Sequence, residues 1–294
     1  MTKSKRLVFF GTDDFSAAVL EEILVSGWAV SAVVTKPDSP AGRGQKIVPP
    51  AVKQIALEHK IKVLQPDKSS DIAAGLKDID TEWGVLAAYG KIIPPAVLDM
   101  FSGGIVNIHP SLLPKYRGPA PIESAILNGD DKTGVSLMKL TAGMDEGPVY
   151  AEKGLPLSGI ETRPELYERL ADMGSELLSK NLEAIIGGAL QPVEQDSTAA
   201  TYTKLIKKAD GELDFGQPAE VLQRQVRAYA GWPRSRAEVF GQKIIVTKAH
   251  VANNSIDGTL VIKCQPGYLE IEELIAPSGK KMAAAEFVRG YSKT

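Results

Sequence analysis

Along its first two thirds the chain alternates short β-rich apolar runs with stretches of helical spacing. Residues 7–10 form the first run and stop at Gly11. From Asp14, the apolar positions Phe15, Val19 and Ile23 recur at helical intervals until Gly27 ends the pattern. The alternation then repeats. Runs at 29–34, 61–64, 83–88, 105–108 and 135–140 read as strands, with residues 149 onward extended again. Stretches at 51–59, 119–127 and 164–186 read as helices, the last stopped by Gly187-Gly188. Strands alternating with helices predict a parallel sheet covered on both faces. Ligands in such sheets bind outside the carboxyl ends of the strands. Tyr89-Gly90 and the residues from His109 onward fall at such ends.

The texture changes after residue 190. Residues 195–204 are polar and Thr-rich, which suits a linker, here bounded as 191–206. A domain over 1–190 and a second over 207–294 lie on either side. In the second, a helix near 218–228 precedes short strands around 237–239, 244–247, 260–262 and 269–274. Several short strands with Gly/Asn/Asp/Pro turns predict a small β-barrel.

Composition is ordinary for a soluble protein of 294 residues, with 44% apolar and 24% charged residues. No apolar run reaches the roughly 20 residues that cross a bilayer. The basic N-terminal residues precede only four apolar ones, which reads as a first strand rather than a signal peptide. A single cysteine, Cys264, forbids an intramolecular disulfide and suits a reducing cytoplasm. It sits in an apolar stretch and reads as a packed residue.

A net charge of −2 argues against a general nucleic-acid binder, but the distribution is uneven. Residues 205–294 hold 13 Lys/Arg and 10 Asp/Glu, whereas residues 1–204 hold 21 and 26. Arg224, Arg227, Arg234, Arg236, Lys243 and Lys248 face one acid, Glu238, within 221–249. Such a patch can hold phosphates or simply be a solvated face, and charge alone leaves both open.

The candidate chemistry centres on residues 105–118. Side chains alternate along a strand, so Asn107 and His109 share a face. Asp145 lies in a loop flanked by Gly143 and Gly147, and glycines permit the tight path that brings a carboxylate beside an imidazole. The carboxylate would orient the ring, and Asn107 supplies a neutral donor for a developing oxyanion. This is acyl-transfer equipment without a covalent nucleophile, since no G-x-S-x-G elbow is present. On the residues alone, the rival reading is that Asn107 and His109 cap a turn. One His and one Asp make no metal site. His59 reads as a surface residue and His250 has no obvious partner. Gly11-Thr12-Asp13-Asp14 lacks the later glycines of a dinucleotide fingerprint, so NAD is not expected. Residues 36–50 form a long basic Gly/Pro loop that is not a Walker A motif. It is either functional or a flexible connection.

The run Asn107-Ile108-His109-Pro110-Ser111-Leu112-Leu113-Pro114-Lys115-Tyr116-Arg117-Gly118, with Asp145 downstream, resembles the signature of enzymes that transfer formyl groups from 10-formyltetrahydrofolate. The opening Val-Phe-Phe-Gly-Thr, the loop Pro-Ala-Gly-Arg-Gly-Gln-Lys and the segment from Arg227 to Pro233 are similar to the branch that acts on initiator methionyl-tRNA. The resemblance implies an α/β architecture: a Rossmann-like, mostly parallel sheet domain followed by a small OB-fold-like β-barrel domain. It implies catalytic roles for Asn107, His109 and Asp145. Folate contacts would fall on Ser111, Leu112, Leu113 and Pro114, with the pterin near Leu86, Tyr89, Gly90 and Ile92. Arg43 and Lys46 would reach the tRNA acceptor end, and Arg227, Arg234 and Lys243 would add phosphate contacts. No metal, membrane or obligate protein partner is expected. The chain departs from the pattern at Ala230-Gly231 and at Arg234, which bears on tRNA contact rather than on the chemistry. Rival readings are a formyltransferase for a nucleotide-linked amino-sugar, and a non-catalytic tRNA- or folate-binding module. A glycinamide ribonucleotide formyltransferase would end near residue 200 and leave the last 90 residues unexplained.

Overall fold

The computed structural model describes residues 5–41, 44, 46–254 and 259–291. Arg43 lies outside them. The chain forms two compact units, one of residues 1–119, 133–155 and 167–202, the other of residues 120–132, 156–166 and 203–294.

The first unit is built on a seven-stranded sheet. Its strands are β1 (Arg6–Phe10), β2 (Ala29–Val34), β5 (Lys62–Leu64), β6 (Trp83–Ala87), β7 (Gly104–His109), β8 (Lys132–Lys139) and β9 (Val149–Pro156), in the order β5-β2-β1-β6-β7-β8-β9. From β5 to β7 every pair is parallel, whereas β8 runs antiparallel to β7. The sheet grows outward from β1 in one direction through β2 and β5, and in the other through β6 and β7. The reversal leaves a crevice beyond the carboxyl ends of β1 and β6, where open α/β sheets bind ligands.

The strands read as near-continuous apolar runs because both faces are covered. On one face, Val8 and Phe10 of β1 pack with Ile72 and Leu76 of α3 (Ile72–Leu76), Val97 of α4 (Pro95–Leu98) and Phe101. Phe10 makes edge-on ring contacts to both Tyr89 and Phe101. The other face meets α1 (Asp14–Val25) and α6 (Arg163–Gly187). Phe15 of α1 packs edge-on against Tyr167 of α6. A Cβ at Gly174 would stand 2.9 Å from Ile108 Cγ2, so glycine lets α6 lie close on β7. The N-terminus of α1 is capped by Asp13, whose carboxylate accepts from Ser16 N at 3.2 Å.

Two short strands flank the basic Gly/Pro run within residues 36–50. β3 (Ser39–Ala41) and β4 (Lys46–Val48) pair as an antiparallel hairpin. At its base the Asp38 carboxylate accepts from Lys53 Nζ, in α2 (Ala51–Glu58), at 2.8 Å and from Gln65 Nε2 at 2.7 Å.

In the second unit, β10 (Ser235–Val239), β11 (Gln242–Ala252), β13 (Tyr268–Ile275) and β12 (Leu260–Lys263) form an antiparallel half-barrel in that order. The far edge of β13 is divided. Its first half pairs with β12 and its second half with β14 (Lys281–Ala283). α7 (Ala219–Ala228) and α8 (Ala284–Tyr291) bury Leu222, Val226 and Phe287 against this sheet. Cys264 is a buried free thiol in the same core. α5 (Pro121–Asn128) also belongs to this unit and packs on α7. His250 does have partners. Nδ1 lies 2.8 Å from Glu272 and Nε2 lies 3.3 Å from Glu270, because β13 brings both carboxylates to the outer face of β11.

Candidate active site

β7 ends in the candidate site. Asn107 and His109 are both buried, on alternate positions of the strand. Asn107 stands in register with Leu86 of β6 on one side and Met138 of β8 on the other. Its carboxamide has no hydrogen-bond partner among the described residues, so its N–H groups are available to a ligand.

The imidazole of His109 has two neighbours. Nε2 is 2.9 Å from the carbonyl oxygen of Tyr116. A carbonyl only accepts, so Nε2 carries a proton. Nδ1 lies 3.8 Å from Oδ2 of Asp145, within electrostatic reach but beyond a hydrogen bond. That carboxylate oxygen instead accepts from Gly118 N at 2.7 Å.

Two backbone reversals create this arrangement. Tyr116 (φ +60°) and Asp145 (φ +48°) both occupy the left-handed region, uncommon for residues with a Cβ. The first turns the Tyr116 carbonyl toward His109. The second is followed by Gly147, where a Cβ would collide with the carbonyl oxygen of Lys139. No other residue fits that point of the loop.

The turn after β7 is pinned from inside. Ser111 is fully buried and its hydroxyl donates to Lys115 O at 2.6 Å. Ser136 Oγ accepts from Leu113 N at 3.1 Å and lies 2.7 Å from both Ser111 O and Glu152 Oε1. From the segment after α6, Thr201 receives Arg117 N on its carbonyl at 2.9 Å and Tyr116 N on its hydroxyl at 2.8 Å. Arg117, only 1% exposed, donates to Gln195 Oε1 through Nε and Nη2 and to Tyr202 OH through Nη1. Residues 195–202 thus form a wall of the turn, although their polar composition reads as a linker.

The predicted contact residues distribute unevenly. Leu86 lies beside Asn107. Gly90 (φ +71°) has the Lys36 ammonium lying where a Cβ would begin, which puts a cation at the crevice. The side chain of Tyr89 instead packs into the apolar core, and its carbonyl accepts from Thr12 Oγ1 at 2.9 Å. Burial pushes the Tyr89 phenol up to about 12. Ile92 is 82% exposed, while its neighbour Ile93 is buried. Leu113 is buried, Leu112 and Pro114 are half-buried, and Leu113 and Pro114 line a cavity with Tyr150 and Gln195. Lys46, Arg234 and Lys243 are exposed. Arg227 is half-buried and held inside its own unit, donating to Glu161 O at 2.8 Å and Gln223 Oε1 at 3.2 Å. Sequence reasoning missed Gln195, Thr201 and Tyr202 altogether. Gln195 lacks a local signal because its partners are 48 or more residues away.

Fold and site together define a class. The sequence matches the family described as "Formyl transferase" over residues 5–182 and "Formyl transferase, C-terminal domain" over residues 205–292. Methionyl-tRNA formyltransferase from Pelobacter propionicus is 36% identical over 98% of this chain and 93% of its own length. The enzyme of the same name from Idiomarina loihiensis is 39% identical over 98% and 96%. The chain belongs to the methionyl-tRNA formyltransferase family and is a one-carbon transferase. Solved structures share the fold at lower identity. HypX from Aquifex aeolicus in complex with tetrahydrofolic acid superposes at TM-score 0.68 with 18% identity over 98% of this chain, which spans about half (47%) of that one. An N-formyltransferase from Helicobacter canadensis in complex with folinic acid and dTDP-3-aminofucose gives TM-score 0.70 with 20% identity, covering 94% of this chain and 99% of that one.

Proposed function

We propose that this enzyme moves the formyl group of 10-formyltetrahydrofolate to the α-amino group of methionine carried by initiator tRNA. The observation that carries the reading is the convergence of Asn107, His109 and Asp145 at the end of β7, in a chain similar over its full length to methionyl-tRNA formyltransferases. Leu86 offers an apolar wall beside Asn107, whose unpartnered amide can bond the formyl oxygen.

The amine nitrogen attacks the formyl carbon and a C–N bond forms while the carbonyl π pair moves to oxygen. An esterified α-amine titrates below the ~7.7–8.0 of a free one, so much of it is neutral near pH 7 and no strong base is required. The enzyme's work is to position both substrates and stabilise the oxyanion. Asn107 Nδ2–H donates to that oxygen. His109 supplies a second donor from Nδ1 when protonated, with Nε2–H committed to Tyr116. Asp145 balances the imidazolium charge and takes part in moving a proton from the attacking nitrogen to N10 of the folate. Collapse breaks the C–N10 bond and releases tetrahydrofolate and formylmethionyl-tRNA.

Arg43, Lys46 of β4, and the exposed Arg234 and Lys243 are the proposed tRNA contacts. Incubation with 10-formyltetrahydrofolate and either charged initiator tRNA or a nucleotide-linked amino-sugar tests the reading. Formylation of the aminoacyl-tRNA alone supports it, and formylation of the sugar alone overturns the assigned acceptor. Neither product would leave a binding module as the surviving account.

A further inference from the structure

Gln195 makes four hydrogen bonds with one carboxamide. Nε2 donates to Asp145 O at 2.9 Å and to Gly147 O at 2.7 Å. Oε1 accepts from Arg117 Nε at 3.0 Å and Nη2 at 2.8 Å. A primary carboxamide has two N–H donors and two acceptor lone pairs, so its capacity is full.

The direction of the amide is dictated. Arg117 presents only donors, so the Gln195 oxygen must face it, and the –NH2 group therefore faces the loop carbonyls. Arg117 is itself held by burial, by Tyr202 OH at 3.0 Å, and by stacking of its guanidinium 5.7 Å from the Tyr202 ring. A continuous chain of contacts thus runs from Tyr202 through Arg117 and Gln195 to the backbone on either side of the Asp145–Gly147 step. Asp145 occupies a left-handed backbone conformation, which persists only where its surroundings over-determine it. The Gln195 bonds supply that constraint on the backbone side, as Gly118 N does on the carboxylate side.

We propose that Gln195 is a positioning residue for formyl transfer, its amide holding the Asp145 loop at the distance from His109 that the reaction uses, with Arg117 fixing the amide's orientation. The proposal rests on the catalytic reading of His109 and Asp145 given above. It is specific to an amide. A glutamate at 195 would pair better with Arg117 yet offer the Asp145 and Gly147 carbonyls no donor.

The test is steady-state formylation of charged initiator tRNA by the full chain carrying Gln195→Glu, Gln195→Ala or His109→Ala, with thermal unfolding of each. Displacing a reacting group by about 1 Å can cost ~10²-fold in rate. The expected result is a kcat reduced at least ~10-fold per folded enzyme in both Gln195 variants, with KM for tRNA within about twofold and both variants folded at the assay temperature. Wild-type kcat in Gln195→Glu, or rate losses that follow losses of folded protein in both variants, would overturn the positioning role. If Gln195→Glu does not fold, Gln195→Ala decides by the same kcat and melting criteria. Full turnover by His109→Ala would instead remove the catalytic reading beneath it. Loss in His109→Ala with none in Gln195→Glu would remove only the role of Gln195.

Discussion

His109 and Asp145 face each other without bonding: Nδ1 and Oδ2 stand 3.8 Å apart, and the oxygen's hydrogen bond comes from Gly118 N at 2.7 Å. The carboxylate is held by backbone and faces the imidazole without a hydrogen bond to it. Asp145→Asn should therefore preserve the loop, because the amide oxygen can still accept from Gly118. The charge alone is lost. General acid–base groups contribute about 10²–10⁴ in rate. We expect kcat to fall by about that factor with KM for both substrates little changed, as read by steady-state kinetics. An Asp145→Asn enzyme within threefold of the parent rate would refute the role.

Tyr89 tests a different point. Its hydroxyl is buried without a partner among the described residues, and the ring belongs to the core rather than the crevice. Leaving a buried polar group unpaired costs about 1–3 kcal/mol. Tyr89→Phe should raise stability by up to about 1 kcal/mol in denaturant unfolding and leave the KM for folate unchanged. A several-fold rise in that KM would restore the phenol as a ligand contact.

Gly147 should tolerate nothing larger. A Cβ there meets the Lys139 carbonyl, which is main chain and cannot rotate away. Overpacking of this kind costs about 1–3 kcal/mol. Gly147→Ala should lose that much stability and most activity together, checked by melting and by rate. Full activity would show that the loop has a second path.

Glu161 sets a pH dependence. Burial raises its pKa, but hydrogen bonds from Ser158 and Gly159 outweigh burial and bring it down to about 2. A carboxylate lowered on folding contributes stability that is complete above its unfolded value and disappears as pH falls through the folded one. The loss should therefore spread from near pH 4–5 to about 2. Glu161→Gln should flatten the melting curve against pH in that window. An unchanged slope would mean that another group dominates acid unfolding.

The alternation of strands and helices and the candidate triple were legible because their signals are local. β7 announces itself by apolar alternation ending in Asn107 and His109, and Gly143 and Gly147 flag the loop around Asp145. α1 begins at Asp14 and ends near Gly27 for the same reason. The hairpin of β3 and β4 was not legible, since its three-residue strands carry Pro and Lys rather than a β-rich run. The Asp38–Lys53–Gln65 cluster that anchors it is assembled from residues 12 to 27 positions apart in the chain. Nor could sequence reveal that Tyr89 points into the core while Ile92 points out. At a strand end the next few residues leave the period of two, and only packing chooses their sides. Nor could the basic patch show that Arg227 donates through Nη1 to the Glu161 carbonyl, a contact 66 residues away in sequence.

The strip of chain at 195–202 has a bearing on how such enzymes can be recombined. A protein cut at residue 190 would keep every member of the Asn–His–Asp set and still lose the hydroxyl, carbonyl and amide groups that prop up the Pro114–Gly118 corner. Chimeras that swap tails between relatives should place the crossover beyond residue 203. Splices made at the change in composition would part the Pro114–Gly118 corner from the Gln195, Thr201 and Tyr202 groups it bonds.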